Sequence, residues 1–134
     1  MKGEGSSMNM IEIDGWVPVQ PKEFHMDTLT LSSENSGEDL TGYTHQDPVR
    51  FKRKLYYTWG MISWADCAAL LQKIQAKNGV NLNITYPDRD SGKIETRVFL
   101  AGDRTGGTFY LIDGEVWVDG LQINFNEHGG DLPT

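Results

Sequence analysis

The sequence predicts a mainly β fold, an antiparallel β-sandwich or partly closed barrel of about seven strands with one α-helix. Three observations lead there. Apolar and polar residues alternate in several short runs, turn residues separate those runs, and only one stretch shows helical spacing. The length, 134 residues, suits a single domain spanning 1–134.

Ile11 and Ile13 alternate with Glu12 and Asp14 until Gly15 and Pro18 break the run, giving a short opening strand. A second alternation sets Leu29 and Leu31 against Thr28 and Thr30, after Phe24 and Met26. Residues Ser32 to Asp47 are rich in Ser, Gly, Thr and acids and have no apolar period, so they read as a long loop, of the kind that is functional or disordered. Val49, Phe51, Arg53, Leu55, Tyr57 and Trp59 then share one strand face, opposite Arg50, Lys52, Lys54, Tyr56 and Thr58. Arg53 interrupts the apolar face, which implies either a bulge near it or a first half of the strand that runs beyond the core.

Ser63 and Asp66 form a variant capping box with Asp in place of Glu, and Cys67, Leu70, Leu71 and Ile74 follow at helical spacing. A helix over Trp64 to Lys77 is expected to bury Leu71 and Ile74 against a sheet and to end at Asn78-Gly79. Val80 to Tyr86 and Lys93 to Ala101 flank the polar connection Pro87 to Gly92 and read as one hairpin. Thr108 to Ile112 and Glu115 to Val118 flank Asp113-Gly114, which favours a type I′ turn and a second hairpin. Beyond Asp119-Gly120, Leu121, Ile123 and Phe125 continue the last strand past a kink at Gly120. Residues 1–9 and 127–134 read as loose termini.

Composition narrows the function. A hydrophobic fraction of 38% with 23% charged residues is that of a chain that folds in water, and no apolar run approaches the ~20 residues of a membrane span. The polar start has no apolar core of a secretory signal. Net charge is −7, which argues against a general nucleic-acid binder. The distribution is uneven: residues 1–48 hold nine acids and two bases, residues 49–60 four bases and no acid, and residues 61–134 ten acids and six bases. A basic strand in an acidic chain can complement another copy, or a neighbouring segment of its own fold. The candidate subunit interface is therefore Arg50, Lys52, Arg53 and Lys54 on the strand, with Glu34, Glu38, Asp39 and Tyr43 in the acidic loop.

Constellations for chemistry are weak. His25, His45 and His128 have no metal-site spacing, and Cys67 falls in the helical pattern as a small buried residue. Asp88, Asp90 and Gly92 resemble the start of a calcium loop, but the Gly is one residue early and position 99 is Phe99 instead of the bidentate Glu, leaving a polar hairpin turn. Gly102 to Gly107 is glycine-rich but precedes a strand and lacks the Lys-Ser/Thr ending of a phosphate loop, so it reads as a flexible turn. No catalytic, metal or cofactor site is expected. Trp16, Trp59, Trp64 and Trp117 read as core or interface residues, with a sugar-binding platform as the alternative.

Three stretches carry a resemblance: Ile11 to Pro18, Arg53 to Gly60 running into the Ser63 helix, and Ile84 to Thr96 followed by Ala101 to Asp103. Together they resemble an uncharacterised family of small proteins encoded in the tail-gene modules of phages and prophages of Gram-positive bacteria. The order of elements is similar to that of the ring-forming β-sandwich of phage tail tube and distal tail proteins. The resemblance implies a virion structural protein of the tail tube, distal tail or baseplate, present in the host cytoplasm before assembly. Its partners would be copies of itself and adjacent tail proteins. The alternative is a carbohydrate- or receptor-binding module of the particle.

Overall fold

The computed structural model describes residues 8–31 and 50–128. They form nine strands and one helix: β1 (Glu12–Ile13), β2 (Glu23–Leu31), β3 (Arg50–Thr58), β4 (Ile62–Ser63), α1 (Trp64–Gln75), β5 (Leu82–Pro87), β6 (Ile94–Thr105), β7 (Thr108–Ile112), β8 (Glu115–Asp119) and β9 (Gln122–Glu127). A six-stranded antiparallel sheet runs β1-β5-β6-β9-β3-β2, and a three-stranded antiparallel sheet runs β4-β8-β7. Both sheets have open edges, so of the two expected arrangements the fold is the sandwich and not the barrel. The expected loop Ser32 to Asp47, with Glu34, Glu38, Asp39 and Tyr43, lies outside the described residues.

Strand alternation builds the core. Met26, Leu55, Tyr57, Leu82, Ile84, Tyr86, Phe99, Ile123 and Phe125 project from the inner face of the large sheet and are buried together with Cys67, Leu70 and Ile74 of α1. Two aromatic side chains of this core satisfy their polar ends: the Trp59 indole donates to the Val19 carbonyl at 2.8 Å, and the Tyr57 hydroxyl to the Met10 carbonyl at 2.8 Å.

α1 starts where the capping box placed it, with the Ser63 hydroxyl accepting the Asp66 amide at 3.1 Å. It ends at Gln75, two residues earlier than the expected Lys77, and Asn78 and Gly79 then adopt the left-handed conformation. Its buried stripe is Cys67, Leu70 and Ile74, so the expected burial of Leu71 is corrected. Leu71 is half-buried at the rim of a surface groove, packed against the margin of the core while Leu70 points into it.

The glycine-rich segment is also corrected. β6 continues to Thr105 through an irregularity between Ala101 and Arg104, and only Gly106 and Gly107 make the link to β7. Nor does the last strand run on past Gly120: β8 belongs to the small sheet and β9 to the large one. The last large-sheet pair, Thr105 with Gln122, and the first small-sheet pair, Thr108 with Asp119, bracket a corner at which two neighbouring strands change sheets together. A Cβ on Gly106 would overlap the Gly120 carbonyl, so the corner depends on glycine there. The expected loose tail starts later than Glu127, which is the last residue of β9 and pairs with Phe99.

Arg53 has a specific explanation. The β2–β3 register is continuous from Glu23–Thr58 to Leu31–Arg50, which excludes a bulge there. β9 pairs with β3 only over Lys54–Thr58, and Phe51, two residues before Arg53 on the same face, is exposed. The strand therefore runs beyond the core, and Arg53 sits at the core's margin with its side chain only 13% exposed. Its Nε donates to Asp88 Oδ2 at 2.8 Å, and its backbone amide to Glu127 Oε1 at 2.9 Å. Asp88, whose side chain is fully buried, also accepts from the Tyr86 hydroxyl at 2.7 Å and from the amides of Asp90 and Ser91. Burial alone would raise the Asp88 carboxyl. The hydrogen bonds from Tyr86, Ser91 and Asp90, together with the Arg53 charge, outweigh it and hold the group below the usual carboxylate range.

Two predictions follow from this packing. Leu70→Ala should cost about 2–5 kcal/mol and Leu71→Ala distinctly less, below about 2 kcal/mol, as measured by urea unfolding. Equal losses would show that the stripe is misplaced. Asp88→Asn should cost about 3 kcal/mol at neutral pH, because it leaves a nearly buried guanidinium without its main counter-charge. A carboxyl whose folded pKa is depressed contributes stability that is present above its ordinary value of 3.8 and is lost as the pH falls through the lower, folded value. The parent protein should thus lose stability on acidification below about pH 4, and the Asn variant should lose less over that range. Parallel acid limbs for the two proteins would remove Asp88 from the account.

Candidate interaction surface

Three surface features stand apart from the core. The first is the outward face of the β2–β3 ribbon. Lys52 lies opposite Leu29 and Lys54 opposite Asp27, and the two lysines share one face of the strand. Lys54 Nζ lies 5.7 Å from the centre of the Tyr56 ring. Arg53 is not on this face. Its guanidinium is taken up by Asp88 and, at 3.7 Å, by Glu127, so among the described side chains Lys52 and Lys54 form the outward basic pair.

The second feature is a polar depression of about 460 Å³ on the same face, lined by Glu23, His25, Tyr56, Asp103, Gln122 and Asn124 among others. The His25 and Tyr56 rings stack across the two strands with centroids 4.6 Å apart and 9° between their planes. The stacked pair lines one wall of the depression.

The third feature was not singled out by sequence reasoning. All five residues of β7 are exposed, including Phe109 at 61% and Leu111 at 74%. Alternation places Phe109 and Leu111 on one face and Tyr110 and Ile112 on the other, so both faces of this strand are apolar. Among the described residues β7 is also an edge, bonded to β8 alone. The Asp113-Gly114 turn that joins the two strands has positive φ at both residues, 52° and 80°, as the expected type I′ turn requires. Beside the strand runs an apolar groove of about 290 Å³ lined by Trp64, Leu71, Phe109, Val118 and Leu121, with Arg104 at its rim. The Trp64 ring meets Phe109 edge-on at 6.2 Å. A signal for this surface was present in the sequence: Thr108 to Ile112 holds no charge and no proline, and hydrophobic residues occupy both phases of the alternation.

The four tryptophans divide accordingly. Trp59 is fully buried, Trp16 packs partly buried against the core, Trp117 is half-buried, and Trp64 is exposed beside the apolar groove. Cys67 is buried, and burial pushes its thiol pKa up, which disfavours the reactive thiolate. Among the described residues, no group of three or more His, Cys, Asp or Glu side chains is placed to hold a metal ion.

Comparison of the chain with protein-family models, with curated proteins and with solved structures found no match in any of the three.

Proposed function

We propose that this protein is a structural component that works by associating with copies of itself and with neighbouring proteins. The observation that carries this reading is β7, an open-edged strand with apolar side chains on both faces. Soluble proteins protect such edges with charge, proline, bulges or a covering element. β2, the long edge of the large sheet, carries Glu23, His25 and Asp27, whereas β7 carries no charge or proline and, among the described residues, no covering element. An edge of this kind is stable in solution when a partner covers it.

The setting proposed is a bacteriophage tail, at the tube, distal tail or baseplate, with assembly into rings. This setting rests on the resemblance of the three sequence stretches. The projecting basic ribbon supports it in one respect, because a row of cations on a two-stranded extension can reach an acidic neighbour and set register. The carbohydrate-binding alternative receives less support. Trp64, the tryptophan that is clearly exposed, is surrounded by apolar side chains and lacks the ring of polar partners that orients a sugar.

The purified chain should sediment as an oligomer, and electron micrographs should show closed particles. Replacing Arg50 and Lys52 with Glu together should weaken association or incorporation into tails while circular dichroism stays unchanged, and high salt should act in the same direction on the parent protein. A monomer at micromolar concentration would count against self-assembly. An oligomer indifferent to both treatments would remove the basic row from the contact.

A further inference from the structure

The geometry points to a specific two-fold contact: β7 pairs antiparallel with β7 of a second copy, centred on Tyr110, joining the two small sheets into one six-stranded sheet. This inference rests on the reading that the chain associates with itself, and it specifies one surface and one register.

The open edge sets the register. In a two-residue hairpin the residues flanking the turn, Ile112 and Glu115, exchange both hydrogen bonds. Tyr110 and Thr108 then also direct their backbone groups towards Trp117 and Asp119 of β8, in the register observed. The amide and carbonyl groups of Phe109 and Leu111 are left pointing outward. Centring on Tyr110 places Phe109 of each copy opposite Leu111 of the other, so that all four outward groups on each strand are used. Centring on Phe109 or on Leu111 would use only part of them within the strand.

Side chains agree with this register. Phe109 and Leu111 lie on the face that holds the apolar groove, so Leu111 of the second copy comes to rest beside Phe109 at that groove. The most exposed large apolar side chain of the strand thereby meets the apolar groove beside it. Charge is complementary as well. β7 has no charged residue to repel its own copy, and Asp113 at the turn of one hairpin faces the Gly106–Gly107 link of the other, where Arg104 lines the groove rim. The contact is isologous, so each of these interactions occurs twice.

The test is disulfide trapping in the full chain with Cys67 replaced by Ala. At the two-fold centre, the non-hydrogen-bonded Tyr110 pair should have Cα atoms about 4.5 Å apart, within the range a disulfide spans. Tyr110→Cys should therefore give a covalent dimer under mild oxidation. Phe109→Cys, two positions out of register with its own copy, should not. Leu111→Lys, at an exposed site where folding is tolerant, should raise the dissociation constant of the reduced protein about tenfold or more with unchanged circular dichroism. The Tyr110→Cys dimer should form equally well in high salt, which separates this contact from one made by the basic ribbon. An oligomer that neither cross-links at position 110 nor responds to Leu111→Lys would overturn the β7 pairing and leave self-assembly standing. Cross-linking through Phe109→Cys in place of Tyr110→Cys would overturn the register. A chain that stays monomeric would overturn both the pairing and the self-assembly reading.

Discussion

The buried carboxylate of Asp88 joins three parts of the chain at one end of the large sheet. Its two oxygens accept from Arg53 on β3, from Tyr86 on β5 and from the amides of its own turn, and Arg53 is bound in turn by Glu127 at the end of β9. Removing two charges from water is costly, and the pair is tolerable here because the carboxylate's acceptor capacity is used in full. The result is directional. The Asp88 turn is held against β2, where Arg89 donates to the Met26 carbonyl at 2.7 Å, so the β5–β6 hairpin and the β2–β3 ribbon are fixed at the same end of the sheet. Beyond this point the inner face carries Phe51, exposed, and the ribbon continues without the sheet behind it.

The sequence made the local elements readable because each rests on local physics. The Ser63 cap, the left-handed turn at Asn78-Gly79, the Asp113-Gly114 turn and the alternation of β3 and β5 are decided within a few residues and appear where they were expected, although the helix itself ends earlier, at Gln75. What could not be read depends on contacts between distant residues. Leu70 and Leu71 both fit a helical stripe, and only the direction from which the sheet approaches selects Leu70. The alternation on either side of Gly120 looks like one kinked strand, because a strand that passes from one sheet to another keeps its period. Asp88 reads as an ordinary turn residue, since its own turn amides satisfy one oxygen, and the Arg53 side chain that binds the other comes from 35 positions away. The site was readable only in part: Lys52 and Lys54 lie outward as a basic row, Arg53 does not, and the acidic loop residues lie outside the described structure.

Strand β7 was legible as a strand but not as a surface, and the reason is physical. A run of hydrophobic residues in both phases normally marks a strand buried on two faces. Here the small sheet has only three strands, and β7 lies at its margin beyond the reach of the core, so the same pattern leaves the apolar side chains exposed. On the proposed reading, burial of these side chains is deferred from the fold to the assembly.

The two projecting features suit different kinds of contact. A pairing of β7 with itself is isologous and closes after two copies, so it cannot generate a ring alone. A ring requires a second, heterologous contact made by unlike surfaces, and a basic row on an otherwise acidic chain supplies unlike surfaces in one molecule. The two also differ in how they respond to the medium. Edge pairing depends on main-chain hydrogen bonds and apolar burial and resists salt, whereas attraction across a wet, charged ribbon is screened within about 8 Å at physiological ionic strength. On the proposed reading, one chain therefore carries a salt-resistant contact and a salt-sensitive one, and the copy number of the particle would depend on which of them is engaged.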